Sequence, residues 1–351
     1  MNRQIVECVP NFSEGRSKEN IRLIAEEIEK TENVSLLNID PGEATNRTVI
    51  TFAGEPEAVA EAAFRAVRKA AQVIDMRQHH GTHPRIGATD VLPIVPVSGI
   101  TLQECAQLAR TLAKRIADEL LIPCYCYEAS AFHEERRNLA VCRSGEYEGI
   151  AKRLTTPGQE PDFGARPMDD VIARAGCTVI GARDFLIAVN FNLNTTSAAI
   201  ASDIACDVRE KGRAQRDSLG HVKKDADGHT IMIPGTLKKT KAIGWFIDEY
   251  GIAQVSMNLT GIHTTPLHRA YEEVCRCAEA RGVKVTGTEI IGLVPRQTLI
   301  DAGLHFLRQQ QQPTDISEEE IVDTAIRSMG LDDLRPFHPR EKVIEYLLED
   351  K

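Results

Sequence analysis

"VSLLNIDPGEATNRTVITFAG" (Val34–Gly54) is the stretch whose reading decides the fold. "VSLLNID" (Val34–Asp40) and "NRTVITFAG" (Asn46–Gly54) read as two strands, and the "PGEAT" between them is turn sequence. Working outward, "SKENIRLIAEEIEKTE" (Ser17–Glu32) reads as a helix, with Ser17 as its cap and Ile21, Ile24 and Ile28 as its apolar stripe. Before it, "RQIVECVP" (Arg3–Pro10) reads as a strand. On the other side, "EPEAVAEAAFRAVRKAAQVID" (Glu55–Asp75) is an Ala-rich helix with Pro56 well placed near its start. "TDVLPIVPV" (Thr89–Val97) supplies a fourth strand. The order β-α-β-β-α-β is the split βαβ of ferredoxin-like folds.

The same order returns further on. "FLIAVNFNL" (Phe185–Leu193) reads as a strand and "SAAIASDIACDVREKG" (Ser197–Gly212) as a helix. "KAIGWFIDEYG" and "IAQVSMNLTG" read as two strands around a tight turn. "PLHRAYEEVCRCAEARG" reads as a helix and "VKVTGTEIIG" as a final strand. The repeat is one of element order, not of residue identity. Between the two runs lie a helix (Thr101–Leu121), a strand carrying Cys124 and Cys126, and a polar stretch ending in "TTPGQEPDFGARPMDD", read as an ordered loop or linker. An insert, "RDSLGHVKKDADGHTIMIPG" (Arg216–Gly235), interrupts the second run. Its "DADG" is a turn, and a calcium loop would need further oxygen ligands that are absent. The expected class is α/β (α+β): two ferredoxin-like βαββαβ subdomains, residues 1–184 and 185–330, with an amphipathic helical tail at 331–351.

The chain has 351 residues, 42% of them hydrophobic, and a net charge of −9. That balance disfavours nucleic acid, which needs a basic face, but leaves room for a local basic pocket. No apolar run is long enough to span a membrane, and the N-terminus lacks a secretory signal, so the expectation is a cytosolic protein. The nine cysteines are an odd number without CxxC spacing, and read as buried free thiols.

"DMRQHHGTHPRIGATD" (Asp75–Asp90) is neither apolar nor periodic, and it holds three of the ten histidines, His79, His80 and His83. As a metal site it is weakened by Gly81 and Pro84, which oppose a regular helix, and by the want of an obvious further ligand. A bland reading is a solvated connection. A catalytic reading takes one histidine as general acid/base near neutral pH, with Arg47 and Arg85 to hold carboxylates. Composition and spacing go no further than a two-lobed α/β chain with a His/Arg loop.

Eight ordered blocks then carry a resemblance: "VECVPNFSEG", "DPGEATNRTVITF", "IDMRQHHGTHPRIGATDV", "SGEYEG", "PDFG", "GARDFLIAVNFNL", "LKKTKAIGWFIDE" and "GLVP". Over nearly its whole length the chain resembles the glutamate formiminotransferase family, the transferase part of formiminotransferase-cyclodeaminase. The resemblance implies two ferredoxin-like subdomains with the site in a cleft between them, and a homodimer. It implies transfer of a formimino group from N-formimino-L-glutamate to N5 of tetrahydrofolate in histidine breakdown, with tetrahydrofolate as co-substrate and no metal. The family's H-P-R motif makes His83 the catalytic histidine. His79 becomes a substrate-binding helper, Asp40 steers His83 or the amidinium, and Arg47 and Arg85 hold carboxylates. The folate-binding segment begins at Gly164 of "PDFG" and continues through Ala165, Arg166, Pro167, Met168, Asp169, Asp170, Val171 and Ile172. There this chain departs from the family pattern, being longer and richer in charge. Lys238, Lys239 and Lys241 read either as charge for the folate tail or as a solvated strand end. The chain stops at Lys351, so a cyclodeaminase domain is not expected within it. Two alternatives stay open: formyl transfer between glutamate and 5-formyltetrahydrofolate, and a folate-binding module with little turnover.

Overall fold

The computed structural model describes residues 4–43, 45–81 and 84–349. The chain divides into two compact units, Met1–Asp184 and Phe185–Asp350. His83 lies outside the described residues.

The first unit runs β1 (Ile5–Cys8), β2 (Asn11–Phe12), α1 (Lys18–Glu29), β3 (Val34–Gly42), β4 (Arg47–Gly54), α2 (Pro56–Val73) and β5 (Thr89–Ser98). α1 starts where its cap places it: the Ser17 side chain accepts from the Asn20 amide, and Ile21, Ile24 and Ile28 face the core. β3 and β4 form the expected antiparallel pair, with Ile39 opposite Ile50 and Asp40 opposite Val49. β1 and β2 together act as one interrupted strand, because both pair with β4 on one side and β5 on the other. The order β3, β4, β1/β2, β5 is therefore that of a split βαβ unit. α1, α2 and α3 (Leu102–Arg115) supply the apolar layer on one face, around Phe52, Phe64, Leu92 and Ile94.

Between the two runs, β6 (Cys124–Glu128) is the expected strand. The polar stretch read as an ordered loop or linker carries short helices α4 (Leu139–Cys142) and α5 (Ile150–Arg153), and α6 (Asp170–Ala175) and β7 (Thr178–Ala182) follow. β7 inserts between β5 and β6, parallel to both, and extends the sheet to seven strands. Parallel neighbours are covered on both faces. Accordingly a second core, with Val91, Tyr125, Ile172 and Val179, forms on the side opposite α1–α3.

The second unit runs β8 (Ile187–Leu193), α7 (Ala198–Val208), β9 (Arg213–Ala214), β10 (Met232–Ile233), β11 (Thr240–Ile247), β12 (Ile252–Leu259), α8 (Leu267–Glu279) and β13 (Val285–Ile291). β9 and β10 close the insert as a separate two-stranded ribbon. The main sheet, β11-β12-β8-β13, is antiparallel throughout. Its strand order is the one found in the first unit. α9 (Arg296–Gln309), α10 (Glu318–Met329), α11 (Pro339–Lys342) and α12 (Ile344–Glu349) follow. The tail is built into this unit: Val294 donates to Lys342 and accepts from Ile344 along the backbone.

All nine cysteines are free, and seven are buried. No helix among the described residues is long and apolar enough to cross a membrane.

Candidate active site

β4 and β5 deliver the first cluster. Arg47 opens β4, and Asp90 sits near the start of β5. Asn11 opposes Val91 and Phe12 opposes Thr89, so Asp90 is the extra residue of a β-bulge. A bulge re-aims its side chain. Here it turns a fully buried carboxylate toward two guanidiniums, Arg47 and Arg143. Asp90 Oδ1 also accepts from the Ile86 amide at 2.9 Å. Arg47 Nε donates to Asn11 Oδ1 at 3.0 Å, and Arg143 Nη1 reaches the Pro84 carbonyl at 3.3 Å. One carboxylate thus orders two cations and the loop residue between them.

The second cluster lies at Arg85, whose side chain is 9% exposed. It donates to Glu148 through two nitrogens, at 2.8 and 2.6 Å, and to Glu146 at 3.0 Å. Its Nε points at His79 Nδ1, 3.4 Å away. A guanidinium only donates, so His79 Nδ1 accepts. The other ring nitrogen, Nε2, therefore carries the proton and donates to the Asn46 carbonyl at 2.9 Å. Burial and the nearby Arg85 charge push the His79 pKa down, against the pull of the Asn46 carbonyl. His79 is thus a neutral imidazole with both nitrogens engaged within the loop's own framework. The Glu148 carboxyl is held below its usual range by its hydrogen bonds to Arg85.

Asn46 is the hub that sequence reasoning missed. It is buried with φ +49°, a left-handed conformation that asparagine tolerates. Its side chain accepts from the Gly15 amide and donates to the His80 carbonyl, at 2.9 and 3.0 Å. Gly81 is needed here because a Cβ would lie 2.3 Å from the Thr45 carbonyl oxygen. The block "VPNFSEG" has the same bracing role: Asn11 holds Arg47, Ser13 Oγ donates to the Gly87 carbonyl, and Gly15 docks on Asn46.

"SGEYEG" clasps the loop from the far side. Tyr147 donates its amide to the Arg85 carbonyl at 2.9 Å and its hydroxyl to the Ala173 carbonyl at 2.5 Å. Ala173 belongs to α6, so the expected folate segment and the His/Arg loop share one hydrogen-bonded framework. Gly87 and Gly176 cross so closely that a Cβ on Gly176 would meet Gly87 Cα at 2.6 Å.

Within that segment, Gly164 has φ +72° and packs on Ala117. Ala165 and Pro167 lie outside helix and strand between it and α6. Arg166 ties back to the Leu121 carbonyl and to Asp169. Asp169 caps α6 by accepting from Ile172, and Asp170 opens the helix. Met168 and Val171 are exposed, whereas Ile172 is fully buried in the second core. Asp40 is exposed on β3, on the same sheet face as Arg47 two pairs along. Lys238, Lys239 and Lys241 are all exposed. In the insert, Asp225, Asp227 and His229 bring potential ligand atoms within 4.8 Å of one another. Asp225 Oδ1 there accepts the amides of Asp227 and His229, as the "DADG" turn requires.

A pocket of about 450 Å³ is lined by His80, Gly81, Arg85, Gly145, Glu146 and Glu148. Two split-βαβ units, the first bearing a loop whose His79 and Arg85 are buried and whose Arg85 is clasped by acidic residues, define a two-unit α+β protein with its charged chemistry on one loop. The chain belongs to the formiminotransferase family: residues 5–183 match the formiminotransferase domain, N-terminal subdomain, and residues 188–349 match the formiminotransferase domain. It is 44% identical over 346 residues to the Formimidoyltransferase-cyclodeaminase of Gallus gallus, covering 99% of this chain and 60% of that protein. It is 39% identical over 306 residues to the Glutamate formimidoyltransferase of Thermoplasma acidophilum, covering 87% of this chain and 92% of that one. Against the Glutamate formimidoyltransferase of Streptococcus pyogenes serotype M1 the identity is 39% over 305 residues, with 87% and 94% covered. The chain spans about three-fifths of the length of the cyclodeaminase-named relatives it matches.

Proposed function

We propose that this chain is a glutamate formimidoyltransferase, a one-carbon transferase of histidine breakdown. It moves the formimino group from N-formimino-L-glutamate to N5 of tetrahydrofolate. The observation that carries this reading is the shared framework of Arg85, Tyr147 and α6, which joins the H-P-R loop to the folate segment. Exposed Met168 and Val171, with Leu121 close by through its bond to Arg166, offer apolar surface to a flat heterocycle.

In this reading N5 attacks the amidine carbon to form a tetrahedral intermediate. His83 takes the N5 proton and returns it to the departing glutamate nitrogen as that carbon–nitrogen bond breaks. One group serves both steps because both nitrogens sit on one carbon. Arg47 holds a donor carboxylate, as expected, and Arg143 beside it takes the place expected of Arg85, whose guanidinium is taken up by Glu146 and Glu148; His79 fixes Arg85 as a neutral acceptor, and Asp40 steers His83 or the amidinium. The reading needs no metal. It places the protein in the cytoplasm as a homodimer, with the transferase activity spread over residues 1–184 and 185–330.

Purified protein given N-formimino-L-glutamate and tetrahydrofolate is expected to form 5-formiminotetrahydrofolate, read by absorbance. No turnover overturns the reading. His83→Ala is expected to keep folate affinity and lose about a hundredfold or more in kcat. If His79→Ala or His80→Ala is the dead variant instead, the assignment of the proton shuttle is wrong.

A further inference from the structure

The two charged clusters beside the H-P-R loop have opposite signs. At one end, Arg47 and Arg143 share the single carboxylate of Asp90, which leaves one positive charge in excess. Arg143 Nε is buried there without a hydrogen-bond partner among the described residues. An unspent donor beside an excess cation suits an incoming carboxylate. At the other end the balance is reversed. Glu146 and Glu148 share the single guanidinium of Arg85, which leaves one negative charge in excess. The pocket of about 450 Å³ opens on this second cluster, and Gly81 and Arg85 in its wall flank His83 in the chain. Glu146 uses only Oε2 on Arg85, and its side chain is 42% exposed. Its backbone, at φ 54° and ψ −159°, lies in a region otherwise occupied almost only by glycine.

A formimino donor is an amidinium at neutral pH. A formyl donor of the same shape is neutral. We propose that Glu146 and Glu148 are specificity-determining residues that select a cationic amidine donor over a neutral formyl donor, while Arg47 and Arg143 take the carboxylate end. The inference rests on the transferase reading and narrows its donor. Holding the amidine in its protonated form also keeps its carbon electrophilic toward N5. A neutral formamide gains no charge-assisted bond from the carboxylates and displaces water from their remaining oxygens, which is discrimination by mismatch.

The test uses two donor isosteres that cannot be transferred. N-carbamimidoyl-L-glutamate carries the cation, and N-carbamoyl-L-glutamate is its neutral counterpart. Calorimetry on the full chain is expected to show the cationic isostere binding at least about tenfold more tightly, the usual weight of a hydrogen bond to a charged group. In Glu146→Gln/Glu148→Gln that preference is expected to vanish, with the neutral isostere unaffected. Each single variant is expected to lose part of it, and both side chains are exposed enough to be replaced without unfolding. Equal affinity of the two isosteres for the unaltered protein, or a preference that survives in the double variant, overturns the inference and leaves the transferase reading standing. If neither isostere binds, the glutamate-donor reading falls and the inference falls with it.

Discussion

The two units share one connectivity and one strand order, yet they hold their polar groups differently. In the first unit the sheet is extended by β7 and β6, and charged side chains are drawn into the framework: Asp90, Arg47, Arg143 and Arg85 are all buried or nearly so. In the second, the corresponding polar layer is built from carboxamides. Gln254 donates to Asn192 at 2.8 Å, Asn192 donates to Asp333 at 2.9 Å, and Trp245 donates to Gln254 at 3.1 Å. A carboxamide both donates and accepts, so this network passes hydrogen bonds along without burying charge and ends on the exposed carboxylate of Asp333. Three guanidiniums over shared carboxylates leave charge over at two places. The scaffold is common; what makes one copy a candidate for chemistry is the residue bulge at Asp90 and the clasp at 143–149.

That contrast predicts unequal damage. Asp90→Ala strands two buried guanidiniums and is expected to cost about 3–5 kcal/mol, the range for breaking a buried ion pair from one side. Urea unfolding would read the loss, and hydrogen exchange should rise at 46–49, 84–91 and 143–149 but not in the second unit. A loss below about 1 kcal/mol would break the comparison. Asn192→Ala, at a fully buried position of the carboxamide layer, is expected to cost about 1–3 kcal/mol, the penalty of unmade neutral hydrogen bonds. Its exchange signature should stay within β8, β12 and the 330–335 segment. The smallest effect concerns pH. The His79 pKa is depressed in the folded chain by burial, so below about 6.5, where an unfolded histidine protonates, the unfolded chain binds more protons and stability falls with pH. His79→Gln should flatten that fall between pH 7.5 and 5.5, conditions set by the ordinary histidine range of about 6.5.

Much of the fold was legible because both repeats write their periodicity plainly. The hairpin at Val34–Gly54 and the Ile21/Ile24/Ile28 stripe fell where period two and period 3.6 place them. β7 was not legible: "TVIGA" is five buried residues without alternation, and its partners lie about 50 and 90 residues upstream. α9 was passed over between a turn and a glutamine run. At the site, Arg47, His79 and Arg85 announced themselves by type and by neighbours. Asn46, Asp90 and Arg143 did not, since their roles exist only once β2, β4 and β5 are in register. Two signals were present nonetheless: an acid at the head of an otherwise apolar strand, and an asparagine directly after a turn. Glu146 and Glu148 lay inside a recognised block, "SGEYEG", but nothing local to it points to an arginine some 60 residues upstream.

The buried thiols give each unit its own clock. Cys8, Cys105, Cys124, Cys126, Cys142 and Cys177 are the buried thiols of the first unit and Cys277 is that of the second, whose Cys206 and Cys275 are only partly buried. Burial lifts the pKa of Cys126 and Cys177 to about 12 and that of Cys142 to about 11, so almost none of the reactive thiolate exists at neutral pH. An alkylating reagent therefore waits for the fold to open. Mass mapping of which cysteines are modified, and when, times the opening of the charged unit and of the carboxamide unit separately in one sample.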